Sequence, residues 1–172
     1  MIGRKTCGLL MALVLCSCLL FGCSGNSETE GDHSAPVTEL AGQILSADTT
    51  LPQMVTDTSE DENAKINFEG FLTADYDCIV GYSRSYAAEG TADEIVVICV
   101  ASEKDVASVK KALQTYEENR RGTMEAYMPE EVEKIDNAVL TSTGCYIGLF
   151  ISGKSGLDKT TFKEGLAAYG IQ

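Results

Sequence analysis

Six consecutive apolar residues, Ile95-Val96-Val97-Ile98-Cys99-Val100, constrain the fold of this 172-residue chain more than any other feature. Most are β-branched, so the run reads as a strand, and a strand apolar at every position must be covered on both faces. It is expected at the centre of its sheet, with helices on one side and another apolar layer on the other. Alternation in Tyr76, Cys78, Val80 and Tyr82 predicts a half-buried strand before it, with a turn between Ser85 and Ala92. A long third strand is expected from Asn137 to Ser152.

Helices are predicted around these strands. Behind Pro36, the residues Val37, Leu40, Ala41, Ile44 and Leu45 recur at helical spacing. Ser102 with Asp105 has the form of a capping box, and Val106, Val109, Leu113 and Tyr116 supply the buried stripe of a main helix, with Arg120 and Arg121 in its carboxyl-terminal half. Pro129-Glu130-Glu131 suits the first turn of a short helix, and Ser155 with Asp158 is expected to cap a last one carrying Phe162, Leu166 and Tyr169. Residues 48–71 carry no firm assignment. The order α-β-β-α-β-α predicts an α+β domain: a small, mostly antiparallel sheet of about three strands with helices laid on one face.

The amino terminus reads as an export signal. Arg4 and Lys5 precede 17 uncharged residues, Thr6 to Gly22, and Leu20-Phe21-Gly22-Cys23 resembles a lipobox. Residues 1–22 are then the signal peptide of a lipoprotein, Cys23 is the lipidated first residue, residues 23–35 are a disordered acidic tether, and residues 36–172 form one domain. A second box ends at Cys18, but cleavage there leaves Leu19, Leu20 and Phe21 at the new terminus. Removing residues 1–22 leaves 11 basic against 26 acidic residues, a net charge of −15, which repels nucleic acid and anionic headgroups. Of the cysteines beyond Cys23, Cys78, Cys99 and Cys145 are either buried free thiols or, for Cys78 and Cys99, a bridge across a hairpin centred between Ala88 and Glu89.

Catalytic signatures fail on inspection. Gly148-Leu149-Phe150-Ile151-Ser152-Gly153-Lys154-Ser155 fits the phosphate-loop pattern in letters, but its middle continues a strand, so a strand end and turn is expected and no nucleotide. Asp57 to Asp61 begins like a calcium loop, yet Glu62 stands where glycine is required and Phe68 where the bidentate Glu belongs. The single histidine, His33, falls in the tether, so no Ser-His or Cys-His pair and no multi-histidine zinc site is expected in the domain. No catalytic, metal or cofactor residue is assigned. Tyrosines on loops, Tyr86 and Tyr127, together with Glu130, are the candidate recognition surface.

Asp93-Glu94-Ile95, Tyr127-Met128-Pro129-Glu130-Glu131 and Gly144-Cys145-Tyr146 resemble the bacterial family known as domain of unknown function 4358, small lipoproteins. The resemblance implies a lipoprotein architecture and a shared α+β domain, and no activity. The expectation is a membrane-anchored extracytoplasmic lipoprotein, non-catalytic, binding a protein or envelope ligand. The alternatives are an enzyme acting on envelope polymers through carboxylates, and an accessory subunit of a membrane complex.

Overall fold

The computed structural model describes residues 31–172; the stretch read as a signal peptide, Cys23 and most of the stretch read as a tether lie outside the described residues. In chain order the elements are α1 (Val37–Ala47), β1 (Met54–Thr58), α2 (Ala64–Phe71), β2 (Ile79–Ala87), β3 (Glu94–Val100), α3 (Glu103–Tyr127), α4 (Val132–Asp136), β4 (Val139–Thr143), β5 (Tyr146–Ile151) and α5 (Ser155–Ala168). The sheet order is β1-β2-β3-β5-β4, antiparallel at every pairing, with β3 in the middle and buried along its whole length.

An α+β chain with five strands therefore replaces the expected three. One added strand comes from residues 48–71, which hold β1 and α2. The other comes from the segment 137–152, which is a hairpin rather than one long strand: Gly144 adopts φ +52, a conformation that glycine tolerates and a β-branched residue does not, and the chain turns there. The expected strand at Tyr76 also begins later. The Asp75 side chain accepts the Asp77 N–H and holds Tyr76–Cys78 in a single 3₁₀ turn, so β2 starts at Ile79. A bulge between Ile79 and Gly81 then leaves Val80 exposed while Tyr82 is buried.

Helices cover both faces, not one. Residues paired across the sheet share a face, so Tyr82, Arg84 and Tyr86 lie with Glu94, Val96, Ile98, Leu149 and Ile151, against α2 and α3. Ser83, Ser85, Ile95, Val97, Phe150 and Tyr146 face α1 and α5, where Phe150 meets Phe162 at 5.6 Å. A strand apolar on both sides requires two apolar layers, and helices supply each of them. α1 and α5 cross closely at Gly165, where a Cβ would stand 2.7 Å from Leu40 Cδ2.

The capping expectations at α3 and α5 are corrected. Ser102 precedes α3 in an extended conformation, but its side chain makes no capping bond. Ser155 is the first residue of α5 instead of its cap; its hydroxyl donates to the Ser152 carbonyl and accepts the Ser152 N–H, and Asp158 turns to the Ser152 hydroxyl. The last residues of the stretch read as tether are also held. Tyr146 accepts the Ala35 N–H at 3.0 Å and donates to the Ala35 carbonyl at 2.9 Å, and a ring nitrogen of His33 lies 3.0 Å from the Val100 carbonyl.

Candidate functional site

The face covered by α2 and α3 is built around one carboxylate. Glu94 opens β3 and is 0% exposed. Arg84 on β2 donates Nε to Glu94 Oε1 at 2.6 Å, Arg120 on α3 places Nε 3.1 Å from Oε2, and the Tyr116 hydroxyl lies 2.8 Å from both oxygens. The Arg84 guanidinium is also stacked among rings, 4.6 Å from the centre of Phe71 and 4.5 Å from that of Tyr86. Burial, with the neighbouring Glu94 charge, pushes the Tyr116 phenol up to about 12, so it stays a hydrogen-bond donor at any physiological pH. These groups form a cross-brace from β2 through β3 to α3.

Tyr116 and Phe71, ring centres 5.7 Å apart, are also walls of a groove of about 330 Å³ between the end of α2 and the middle of α3. Thr73, Ser108, Lys111, Ala112, Thr115 and Asn119 complete it. None of these is a carboxylate, in a chain whose formal charge is −13. Among the described residues Lys111 makes no ion pair, so its ammonium is available. Apolar walls with a few convergent donors and one cation are the chemistry of a ligand groove.

A second hollow, of about 410 Å³, lies where α4 meets the start of α5, lined by Glu130, Glu133, Lys134, Asn137 and residues 152–156. Of the three residues expected to form a recognition surface, Glu130 lines this hollow and Tyr127, 82% exposed, ends α3 nearby without lining it. Tyr86 is elsewhere, half-buried over Arg84. The structure therefore does not gather the three into one site. Of Phe71, Lys111 and Tyr116, only Tyr116 was singled out, as part of the main helix's stripe; Phe71 fell in the unassigned stretch 48–71, so the α2–α3 contact that brings them together was not legible.

Two of the three segments that carry the family resemblance meet in space. Lys134 bonds Asp93 Oδ2 at 2.8 Å and Glu131 Oε2 at 2.9 Å, while Glu131 accepts the Ala92 N–H at 2.9 Å. Burial works against the Lys134 ammonium, but these two carboxylates outweigh it and raise its pKa. The Asp93-Glu94 and Glu130-Glu131 motifs thus include a structural clamp between the β2–β3 turn and the α3–α4 connection.

The phosphate-loop lookalike is strand through Ile151, and the place a Gly148 side chain would fill is taken by the Phe150 ring. Cys78, Cys99 and Cys145 are free; the hairpin centres on Gly90 rather than between Ala88 and Glu89, so Cys99 faces Gly81. His33 and the Cys145 thiol both lie beside Gly31, but burial, with nearby acids, raises the Cys145 pKa, the opposite of what a nucleophilic cysteine requires.

One further cluster joins α1 to α5. Asp48, 2% exposed, and Asp158, 0% exposed, flank Ser152, whose hydroxyl donates to Asp158 Oδ2 at 2.5 Å. Burial, reinforced by the Asp48 charge and opposed by the Ser152 bond, lifts Asp158 to about 6. Asp48 moves the other way, because the Thr50 hydroxyl and N–H outweigh its burial. Neither carboxylate lines the groove or the second hollow.

No curated protein and no solved structure matches the chain. The family model described as Domain of unknown function (DUF4358) matches residues 51–152, a span that holds all five strands and α2 to α4 while α1 and α5 fall outside it. The chain belongs to that family.

Proposed function

We propose that the protein is a membrane-anchored extracytoplasmic lipoprotein whose domain is a non-catalytic binding module, with the groove between α2 and α3 as its ligand face. The observation that carries the reading is the groove's composition: aromatic walls, hydroxyl and amide rims, an unpaired Lys111 and no carboxylate. On a surface otherwise dominated by acids, that is where an organic anion with an apolar body finds both a cation and a desolvated wall. The lipid anchor rests on the sequence of the export segment. No helix among the described residues is long and apolar enough to cross a membrane. The carboxylate-dependent enzyme remains the second reading, with Asp48 and Asp158 as the close pair it would need; both are sealed from the groove.

Two experiments test the parts separately. Cys23→Ser should abolish incorporation of labelled palmitate and release the protein from the membrane fraction; unchanged labelling refutes the anchor. For the groove, phenylacetate should raise the melting temperature and perturb Phe71 and Tyr116 resonances, whereas phenethylamine, with the same ring and opposite charge, should do neither. Lys111→Gln should remove the response. A response to both compounds, or one that survives Lys111→Gln, refutes the assignment.

A further inference from the structure

Three buried side-chain polar atoms among the described residues lack a hydrogen-bond partner: Arg120 Nε, Asp48 Oδ2 and Asp158 Oδ1. Arg120 Nε has the Glu94 carboxylate 3.1 Å away as its ion-pair partner. The other two are carboxylate oxygens, and they belong to the two residues on either side of Ser152. Buried polar groups in native proteins are nearly always satisfied, and buried anions are paired or ligate a cation. Two exceptions around one serine point to an occupant.

Each carboxylate is half used. Asp48 ends α1, and its Oδ1 accepts from the Thr50 N–H at 2.8 Å and the Thr50 hydroxyl at 2.5 Å. Asp158, on the first turns of α5, accepts the Ser152 hydroxyl through Oδ2. Ser152 Oγ in turn accepts the Lys154 N–H at 2.9 Å and keeps a second lone pair. Lys154, exposed, is the cation whose charge reaches both acids, yet it forms no ion pair with either. Thr50 and Gly153 form the rim above; a Cβ on Gly153 would stand 3.8 Å from Thr50 Oγ1.

We infer that Asp48, Ser152 and Asp158 hold a single hard divalent cation of the calcium class. The ligands are Asp48 Oδ2, Asp158 Oδ1 and the free lone pair of Ser152 Oγ, with water completing the shell. Oxygen-only donors select a hard cation over zinc or copper, and a mixed set of carboxylate, hydroxyl and water suits the irregular geometry that calcium accepts better than the strict octahedron of magnesium. Two carboxylates match a divalent charge. Such a site would cross-link the end of α1 to the start of α5, the two helices that cover one face of the sheet. It is independent of the groove.

The test uses the full chain in detergent, stripped with chelator and melted with and without 5 mM calcium chloride. The wild type should gain about 3–5 °C, as expected for a ligand at roughly tenfold its dissociation constant. Asp158→Asn and Asp48→Asn should each lose most of that gain, and equilibrium dialysis should show one calcium bound to the wild type and none to the variants. Asp61→Asn, in the exposed acidic loop after β1, should keep the full response. If one of the two asparagine variants fails to fold, the other carries the comparison, and dialysis on it gives the stoichiometry. No calcium-dependent gain in the wild type, or equal gains in all variants, would overturn the site: the first result means that water serves the two oxygens, the second that calcium adsorbs on the acidic surface.

Discussion

Glu94→Gln tests whether the cross-brace beneath the groove is an electrostatic core element. The carboxylate is fully buried and serves Arg84 Nε at 2.6 Å, Arg120 Nε at 3.1 Å and the Tyr116 hydroxyl at 2.8 Å, so neutralising it leaves two largely buried guanidiniums with too little negative charge. Arg84 keeps only Asp57 as a carboxylate partner, at 3.9 Å, besides the neutral Tyr116 hydroxyl at 3.1 Å. Glutamine also presents an NH₂ where at least one arginine N–H points. Removing one partner of a buried ion pair costs about 3–5 kcal/mol. With a urea m value of about 1.5 kcal/mol per molar for a domain of this size, a loss of about 3 kcal/mol lowers the unfolding midpoint by about 2 M. The triple variant Arg84→Met, Glu94→Leu, Arg120→Met should recover much of that loss, because the penalty lies in the unpaired charges and not in missing contacts. A loss below about 1 kcal/mol, or one that shrinks strongly in high salt, would mean that water screens the cluster and the reasoning fails.

Two glycines should respond to alanine with opposite signs. Gly122 on α3 has nothing within 4 Å of a new Cβ, so Gly122→Ala should stabilise by about 0.5–1 kcal/mol; Gly165→Ala drives a methyl against Leu40 and Gln43 and should cost about 1 kcal/mol net, both read by urea titration. Stability should also fall from pH 10 to 12. Burial pushes Tyr82 and Tyr116 each up to about 12, so the native state keeps protons that the unfolded state releases near pH 10, and each phenol costs up to about 1.4 kcal/mol per pH unit across that window. Tyr116→Phe should lower that slope by one phenol's share; an unchanged slope would place the phenol in water.

The central strand was legible because Ile95–Val100 has only one physical solution, burial on both faces. The helices α1, α3 and α5 were legible through helical spacing of residues such as Leu40, Val109 and Phe162. What escaped depended on single residues acting at a distance. Gly144 looks like one more small residue in a long strand-like stretch until its positive φ splits that stretch into β4 and β5. Asp75 looks like any surface acid, yet its hydrogen bond to Asp77 delays β2 by three residues. The candidate groove was the least legible part, since Phe71 is 45 residues from Tyr116 and no periodicity connects them. Glu94, next to the apolar run, and Arg84, in the middle of a strand, were the available signal: charges placed where an apolar face is required demand partners.

The two sites lie on opposite faces of the sheet, and that arrangement makes a last prediction. The groove belongs to the α2–α3 layer, within the span that matches the family model, whereas Asp48 and Asp158 belong to α1 and α5, outside it. Between them stands β3, whose side chains alternate between the layers without a polar link from Glu94 to Ser152 among the described hydrogen bonds. Sites that share no partners and have no bistable element between them should not couple. Calcium should therefore leave phenylacetate affinity in the groove unchanged, and the stability effects of Lys111→Gln and Asp158→Asn should add within about 0.5 kcal/mol in the double variant. A larger interaction energy would show that the α1–α5 layer sets the position of α3 through the sheet. The chain would then carry a ligand groove whose affinity depends on the cation.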